Sequence, residues 1–223
     1  MLGYRHYFGC RYQYRLPIWF EGLFNVSRLV LASASPRRQE LLALLTREFQ
    51  CIPADADESV LPGEPVEQYV SRLAQAKAEA VASPSRIVLG SDTTVCFDGE
   101  LLHKPEDYDD AYGMLERLSG QTHQVYTGVA MVADERIDAK VVKTEVVFDD
   151  LSRALIETYL STSDPWDKAG AYGIQGFAGC FVSRIKGSFS AVMGLPLSET
   201  RQLLTDFGVR LAPALGSHSD SHA

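Results

Sequence analysis

Several function classes are excluded by what this 223-residue chain lacks. Lys and Arg number 21 against 29 Asp and Glu, a formal net charge of -8, so the broad basic face that sequence-independent nucleic-acid binding requires is missing. An anionic ligand must therefore meet a local basic cluster or a metal. The four cysteines, Cys10, Cys51, Cys96 and Cys180, stand far apart with no paired spacing, which removes a zinc cluster and a disulfide framework and fits reduced thiols in a cytoplasmic protein. The apolar run Leu16 to Phe20 is too short for a secretory signal or membrane span and contains Pro17. There is no G-x-x-x-x-G-K-[ST], no G-x-G-x-x-G in a βαβ context and no G-x-S-x-G elbow, so P-loop, dinucleotide and serine-hydrolase readings lack support. At 46% hydrophobic and 22% charged, the chain can bury one substantial core, as a single domain or two lobes sharing a sheet.

The two ends differ from the rest. Eight of the 22 aromatic residues fall in the first 25 positions (Tyr4, Tyr7, Phe8, Tyr12, Tyr14, Trp19, Phe20 and Phe24) without a readable period. Residues 1–25 are expected to be a non-native or disordered extension. Val26 stands just before Ser27-Arg28-Leu29, and a GUG codon can initiate translation in bacteria, so a natural start at position 26 is expected; the intact mass of native protein tests this. Residues 26–211 then form one two-lobed catalytic domain, and the polar stretch 212–223 is expected to be a disordered tail.

The most informative segment is Ser33-Ala34-Ser35-Pro36-Arg37-Arg38, directly after the apolar run Leu29 to Ala32. That run reads as a short buried strand. Pro36 suits the first turn of a helix, because its φ is preset and its missing N–H is not needed there, and Ser35 is the expected N-cap. The free N–H groups of the first turn, the helix dipole and two guanidinium groups then converge on one spot, which suits a phosphate.

Downstream, apolar runs and turn formers alternate. Phe49 to Ile52 reads as a second strand, followed by the acidic loop Asp55-Ala56-Asp57-Glu58. A helix from Pro65 carries an apolar stripe at Val66, Tyr69, Val70, Leu73, Ala76 and Ala80, with Lys77 off its centre. Ile87 to Gly90 reads as a strand ending at Ser91-Asp92-Thr93-Thr94, then Val95 to Phe97 with Asp98-Gly99 as a hairpin turn. Asp107 caps a helix that Gly120 stops, and two paired strands follow at about 125–132 and 137–148. A helix over about 151–160, a Gly-rich stretch, a strand at about 180–185 and a helix from Leu197 to Phe207 complete the pattern. The fold class is α/β, a mixed twisted sheet with flanking helices.

Polar residues at strand ends are the candidates for chemistry. Asp92, placed at the carboxyl edge of a strand, is the first catalytic candidate. Glu58 is a second oxygen ligand that with Asp92 suits Mg²⁺ or Mn²⁺, although spacing does not say which of Asp55, Asp57 and Glu58 turns inward. Lys104, in a loop just beyond the hairpin after Asp92, is placed to reach the same cleft. In Lys168 to Gly176 the glycines permit close approach, and Gln175 offers both donor and acceptor to a base edge.

Taken together, these residues resemble the Maf family of nucleoside triphosphate pyrophosphatases. The resemblance runs from Leu29 to Phe207 through S-A-S-P-R-R, S-D-T-T at Ser91 to Thr94, H-K-P-E-D at His103 to Asp107, L-S-G-Q-T-H at Leu118 to His123, D-K-A-G-A-Y-G-I-Q-G at Asp167 to Gly176, and G-L-P-L at Gly194 to Leu197. It implies two lobes around a cleft, related in shape to the inosine triphosphatase type. It also implies cleavage of a nucleoside triphosphate between the α and β phosphates with a divalent metal. A-G-A-Y-G-I-Q-G resembles the branch acting on dTTP and UTP. By that resemblance Arg37, Thr93 and Gln175 match positions linked to pyrimidine choice, and Asp92 matches the catalytic acid/base. Ser33, Arg38, Glu58, Lys77 and Lys104 match the polar pocket: Ser33, Arg38, Lys77 and Lys104 as phosphate ligands, Glu58 with Asp92 as metal ligands. The N-terminal extension, and Thr46-Arg47 in place of a glycine-containing turn, depart from the pattern. Alternative readings are a 7-methyl-GTP pyrophosphatase and a nucleotide-sensing cell-division regulatory protein. The expected partners are the nucleotide and a second copy in a homodimer, and neither nucleic acid nor membrane.

Overall fold

The computed structural model describes residues 28–212. The expectations for residues 1–25, the start at Val26 and the tail from 213 onward lie outside the described residues. The order is β1 (Arg28–Leu31), α1 (Pro36–Ala43), β2 (Phe49–Cys51), α2 (Val66–Ala80), β3 (Arg86–Phe97), β4 (Glu100–Leu102), α3 (Tyr108–Leu118), β5 (Thr122–Ala133), β6 (Arg136–Phe148), α4 (Arg153–Leu160), β7 (Val182–Lys186), α5 (Phe189–Val192) and α6 (Leu197–Asp206). Between α4 and β7 lie three 3₁₀ turns, Pro165–Asp167, Ala169–Ala171 and Phe177–Phe181.

One seven-stranded mixed sheet runs β2-β1-β3-β5-β6-β7, with β4 attached to β3. β1 lies parallel to β2 and β3, and the longer strands pair antiparallel. β3 and β5 pair from Val88↔Val132 to Cys96↔Gln124 and are shared by two cores. Leu29, Leu31, Leu41, Leu42, Leu89, Met131, Leu203 and Leu204 fill the core between β1, α1 and α6. Val95, Leu115, Leu118, Val125, Phe148, Ile156, Tyr159 and Phe181 fill the other, against α3 and α4. The α/β sheet with flanking helices is thus as expected, and two smaller apolar clusters lie under α2, one with Val30, Ala78 and Val88 and one with Tyr69, Val70 and Leu73. Among the described residues no helix is long and apolar enough to cross a membrane.

Two expectations need correcting. Asp92 does not end a strand: β3 runs unbroken through it. The opening comes instead from the sheet edge. β1 pairs with β3 only as far as Leu31↔Leu89, and β4 begins only at Val95↔Leu102, so the stretch between has no strand beside it on that edge. Second, Phe177–Phe181 forms a 3₁₀ turn, and the strand expected at about 180–185 is β7, Val182–Lys186.

α2 lies unusually close to the sheet. A Cβ on Gly90 would overlap Ala74 O and stand 2.8 Å from Ala78 N, and one on Gly128 would overlap Val70 O. With both positions bare, the helix backbone rests on the strands, and its buried stripe of Tyr69, Val70, Leu73, Ala74, Lys77 and Ala78 is pressed onto β3 and β5. Lys77 therefore belongs to the buried stripe and is not off its centre.

Candidate active site

A cavity of about 480 Å³ opens at the unpaired edge of β3. Because the edge is free, side chains from both faces of β3 reach it: Asp92 from the α2 face and Thr93 from the other.

The segment after β1 supplies one wall. Ser35 caps α1, accepting from Arg38 N, and Pro36 occupies the first turn, as the sequence suggests. Ser33 Oγ accepts from Ser35 N at 3.1 Å, which holds the loop at the carboxyl end of β1. Arg38 turns back across the site: its Nε donates to Gly194 O at 2.9 Å, Nη2 to Thr93 Oγ1 at 3.4 Å and Nη1 to Ser33 Oγ at 3.5 Å. Burial lowers its pKa, Asp92 and Glu58 work against that, and Arg37 adds to it; a guanidinium remains charged regardless. Gly194 (φ +111) holds a conformation that strains any other residue, and a Cβ there would press on Arg38 Nε at 3.3 Å. Arg38 thus ties α1 to β3 and to the turn before α6. Arg37 is freer, its Nη2 lying 3.8 Å from Asp167 Oδ2 across the cleft.

The carboxylates face it. Lys77 Nζ lies 2.7 Å from Asp92 Oδ1 and 2.6 Å from Glu58 Oε1, so two carboxylates share one ammonium. This identifies Glu58 as the member of the acidic loop that turns toward Asp92. Burial raises the Glu58 pKa, but the Lys77 hydrogen bond and the charges of Lys77, Lys104 and Arg38 outweigh it and leave Glu58 below its ordinary value. The loop is strapped to α2. Tyr69 Oη donates to Glu58 O at 3.0 Å, and Arg72 donates to Ser59 O at 3.0 Å and to both Glu64 oxygens at 2.6 and 2.7 Å. Burial, then Asp92 and Glu58, push the Tyr69 phenol up to about 12, so it stays protonated as a donor. Tyr69 and Arg72 were not legible as site residues; their one signal is the i, i+3 spacing that puts both on one helix side.

The cluster of Glu58, Lys77 and Asp92 has a formal net charge of -1, and its two carboxylates meet at the Lys77 ammonium, each through one oxygen. Oxygen donors of this kind fit Mg²⁺ or Mn²⁺, which are held by one or two carboxylates with phosphate oxygens and water completing the shell. Among the described residues no group of three or more His, Cys, Asp or Glu is placed to hold a metal, so the nucleotide would have to supply the remaining ligands.

The third wall comes from the β4–α3 loop and the segment after α4. Lys104 lines the cavity, and among the described residues no ion pair engages it. Its loop is tied to the next wall by Gly170 N donating to His103 O at 3.0 Å. Gln175 lines the cavity from the Gly173–Gly176 segment and is exposed. All nine positions marked from the sequence therefore border one cavity. They differ in how they are engaged: Lys77 is held by carboxylates, Arg38 by oxygen acceptors, Arg37 by a long 3.8 Å contact with Asp167, and Lys104 by no ion pair among the described residues.

The family model described as Maf-like protein matches residues 28–207. A curated "dTTP/UTP pyrophosphatase" from Hahella chejuensis is 50% identical over 197 residues, covering 86% of this chain and 98% of that protein. Another of that name from Pseudoalteromonas atlantica is 51% identical over 183 residues, covering 79% and 95%. A solved structure titled "The structure of the Staphylococcus aureus Ham1 protein" aligns with a TM-score of 0.39 at 15% identity over 54% of this chain and 70% of that one, a likeness too loose to argue from.

Proposed function

This chain belongs to the Maf-like protein family, and on that premise we propose that it hydrolyses dTTP and UTP to the monophosphate and pyrophosphate with the help of Mg²⁺ or Mn²⁺. One observation carries the reading: a single cleft is lined by the carboxylate pair Glu58 and Asp92 and by the cations Arg37 and Lys104. That arrangement suits a triphosphate whose charge is shared between protein cations and a metal.

In this reading a water molecule attacks phosphorus, the bond between the α and β phosphates breaks, and pyrophosphate leaves. Lys77 engages one lone pair of Asp92 Oδ1, and the remaining lone pairs of the carboxylate can meet both a divalent ion and the water's proton. General-base assistance of this kind contributes about 10²–10⁴-fold. Glu58 and Asp92 would hold the divalent ion, which supplies charge compensation at the phosphoryl oxygens. Arg37 and Lys104 offset the remaining negative charge, and the first turn of α1 receives phosphate oxygens. Ser33 and Arg38 hold that turn in place, while Lys77 keeps the two carboxylates together before substrate arrives. Gln175, with Thr93 and Arg37, selects the base. Uracil and thymine both present acceptor, donor and acceptor along one edge, and a carboxamide meets two neighbouring positions of it, accepting from the ring N–H and donating to a carbonyl. A cytoplasmic setting and a homodimer complete the proposal, checked by fractionation and sedimentation.

The test is pyrophosphate release from dTTP, UTP, CTP, GTP and 7-methyl-GTP with Mg²⁺ or Mn²⁺. Release mainly from dTTP and UTP, abolished by chelation, is expected. Release from 7-methyl-GTP alone overturns the base assignment, and nucleotide binding without release moves the protein to a regulatory role.

A further inference from the structure

The base-reading side of the cleft rests on a polar anchor that the proposed chemistry does not use. Lys168 Nζ, on a side chain only 10% exposed, lies 2.9 Å from Asp164 Oδ1 and 2.5 Å from Asp167 Oδ1, and also donates to the Asp164 carbonyl. Asp164 Oδ2 accepts from Tyr159 Oη at 2.8 Å, and Tyr159 Oη in turn accepts from Gly173 N at 3.1 Å. Tyr159 is fully buried, edge-on to Phe181 and stacked on Phe177. Burial first, then the bond to Asp164, raises its phenol far above the usual value, so the hydroxyl remains a donor at any working pH.

Two glycines let the next segment lie directly on this anchor. A Cβ on Gly173 would stand 2.6 Å from Lys168 Cε, and one on Gly176 would stand 2.8 Å from Asp164 Oδ2. Gln175 lies between them and lines the cavity. Apolar packing alone would fill this space, but linked buried polar groups specify one arrangement where an apolar surface tolerates several. The chain from Lys168 through Asp164 and Tyr159 ends on the backbone of the very segment that carries Gln175.

We infer that Tyr159, Asp164 and Lys168 are positioning residues for base selection, setting the height at which Gly173–Gly176 presents Gln175 to the base of a pyrimidine nucleoside triphosphate. The inference rests on the function proposed above, and the experiment separates the two. Tyr159→Phe removes one hydroxyl and keeps the ring, while Asp164→Asn keeps a side-chain oxygen for Tyr159. Steady-state kinetics with UTP, dTTP, CTP and GTP are measured beside hydrogen exchange of the 172–178 region and thermal unfolding. Tyr159→Phe is expected to narrow the preference for UTP over CTP by about fivefold or more, mainly through KM, with kcat held within about threefold. Exchange at 173–176 should rise about tenfold, with Asp164→Asn moving both readouts less than Asp164→Ala. A lower unfolding temperature with unchanged preference and unchanged exchange overturns the anchor as a specificity device. Wild-type protein without a pyrimidine preference overturns the proposed function instead, and exchange at 173–176 unaltered by Tyr159→Phe overturns the anchor whatever the substrate.

Discussion

Replacing Gly90 with alanine inserts one methyl group between β3 and α2, where the backbones already touch. The added Cβ would overlap Ala74 O and stand 2.8 Å from Ala78 N and 3.0 Å from Ala78 Cβ, and two of these three neighbours are backbone atoms that no rotamer change can move. The helix must back away by about 1 Å, a form of overpacking that costs about 1–3 kcal/mol. Lys77 precedes Ala78 directly and travels with it, so the 2.7 Å contact between its ammonium and Asp92 opens beyond charged hydrogen-bond range. A displacement of this size at a reacting group lowers turnover by about 10²-fold. Urea unfolding reads the stability and pyrophosphate release reads the turnover. Gly113, in the middle of α3, is the control: nothing lies within 4 Å of an added Cβ, so Gly113→Ala is expected to stabilise by about 0.5–1 kcal/mol and leave turnover alone. A Gly90→Ala protein with wild-type stability and wild-type turnover would refute the claim that the close seat of α2 builds the site.

Arg72→Met removes the ties to Glu64 and Ser59 O that hold the acidic loop, so the metal-dependent rate is expected to fall about tenfold, with Mn²⁺ affinity read directly by spin resonance falling alongside; unchanged Mn²⁺ affinity would detach Glu58 from the metal. His123 gives the fold an acid limit. It lies buried against Phe148 and Tyr172, with Nε2 bonded to Tyr172 Oη, and burial lowers its pKa to about 4. The unfolded imidazole takes up a proton near pH 6.5 and the folded one only near 4, so between these values the unfolded state binds more protons and stability falls as pH falls, by up to about 3 kcal/mol. Urea midpoints at pH 7 and pH 5 check this, and His123→Gln should flatten the difference; an equal loss in that variant assigns the sensitivity to other groups.

Local chemistry in the sequence announces the helix starts and turns, because they are decided by neighbours. Ser35-Pro36 begins α1, Asp107 caps α3, and Asp98-Gly99 turns with both residues at positive φ. Longer-range features were hidden for a physical reason. Ser91-Asp92-Thr93-Thr94 reads as a strand end because four polar residues interrupt an apolar run, yet the first three are accommodated within β3 by distant partners: Ser91 by the carbonyls of Gly128 and Gly194, Asp92 by Lys77, Thr93 by Arg38 and Thr127. Lys77 is misplaced by any pattern that counts lysine as polar, since it enters the buried stripe only because Glu58 and Asp92 meet its charge. The resemblance named the cleft residues but not what supports them. Tyr159, Asp164 and Lys168 come together through irregular backbone after α4, where no period marks a shared face.

The central claim, that Asp92 is the base in a metal-assisted pyrophosphatase, is tested most directly by turnover of Asp92→Asn on UTP at saturating Mg²⁺ and Mn²⁺. Lys77 keeps Glu58 as a partner in that variant, so the fold should persist. A folded protein whose turnover has dropped by about 10²–10⁴-fold is the expected result. Near-normal turnover with either metal would contradict the account and move the base elsewhere in the cleft.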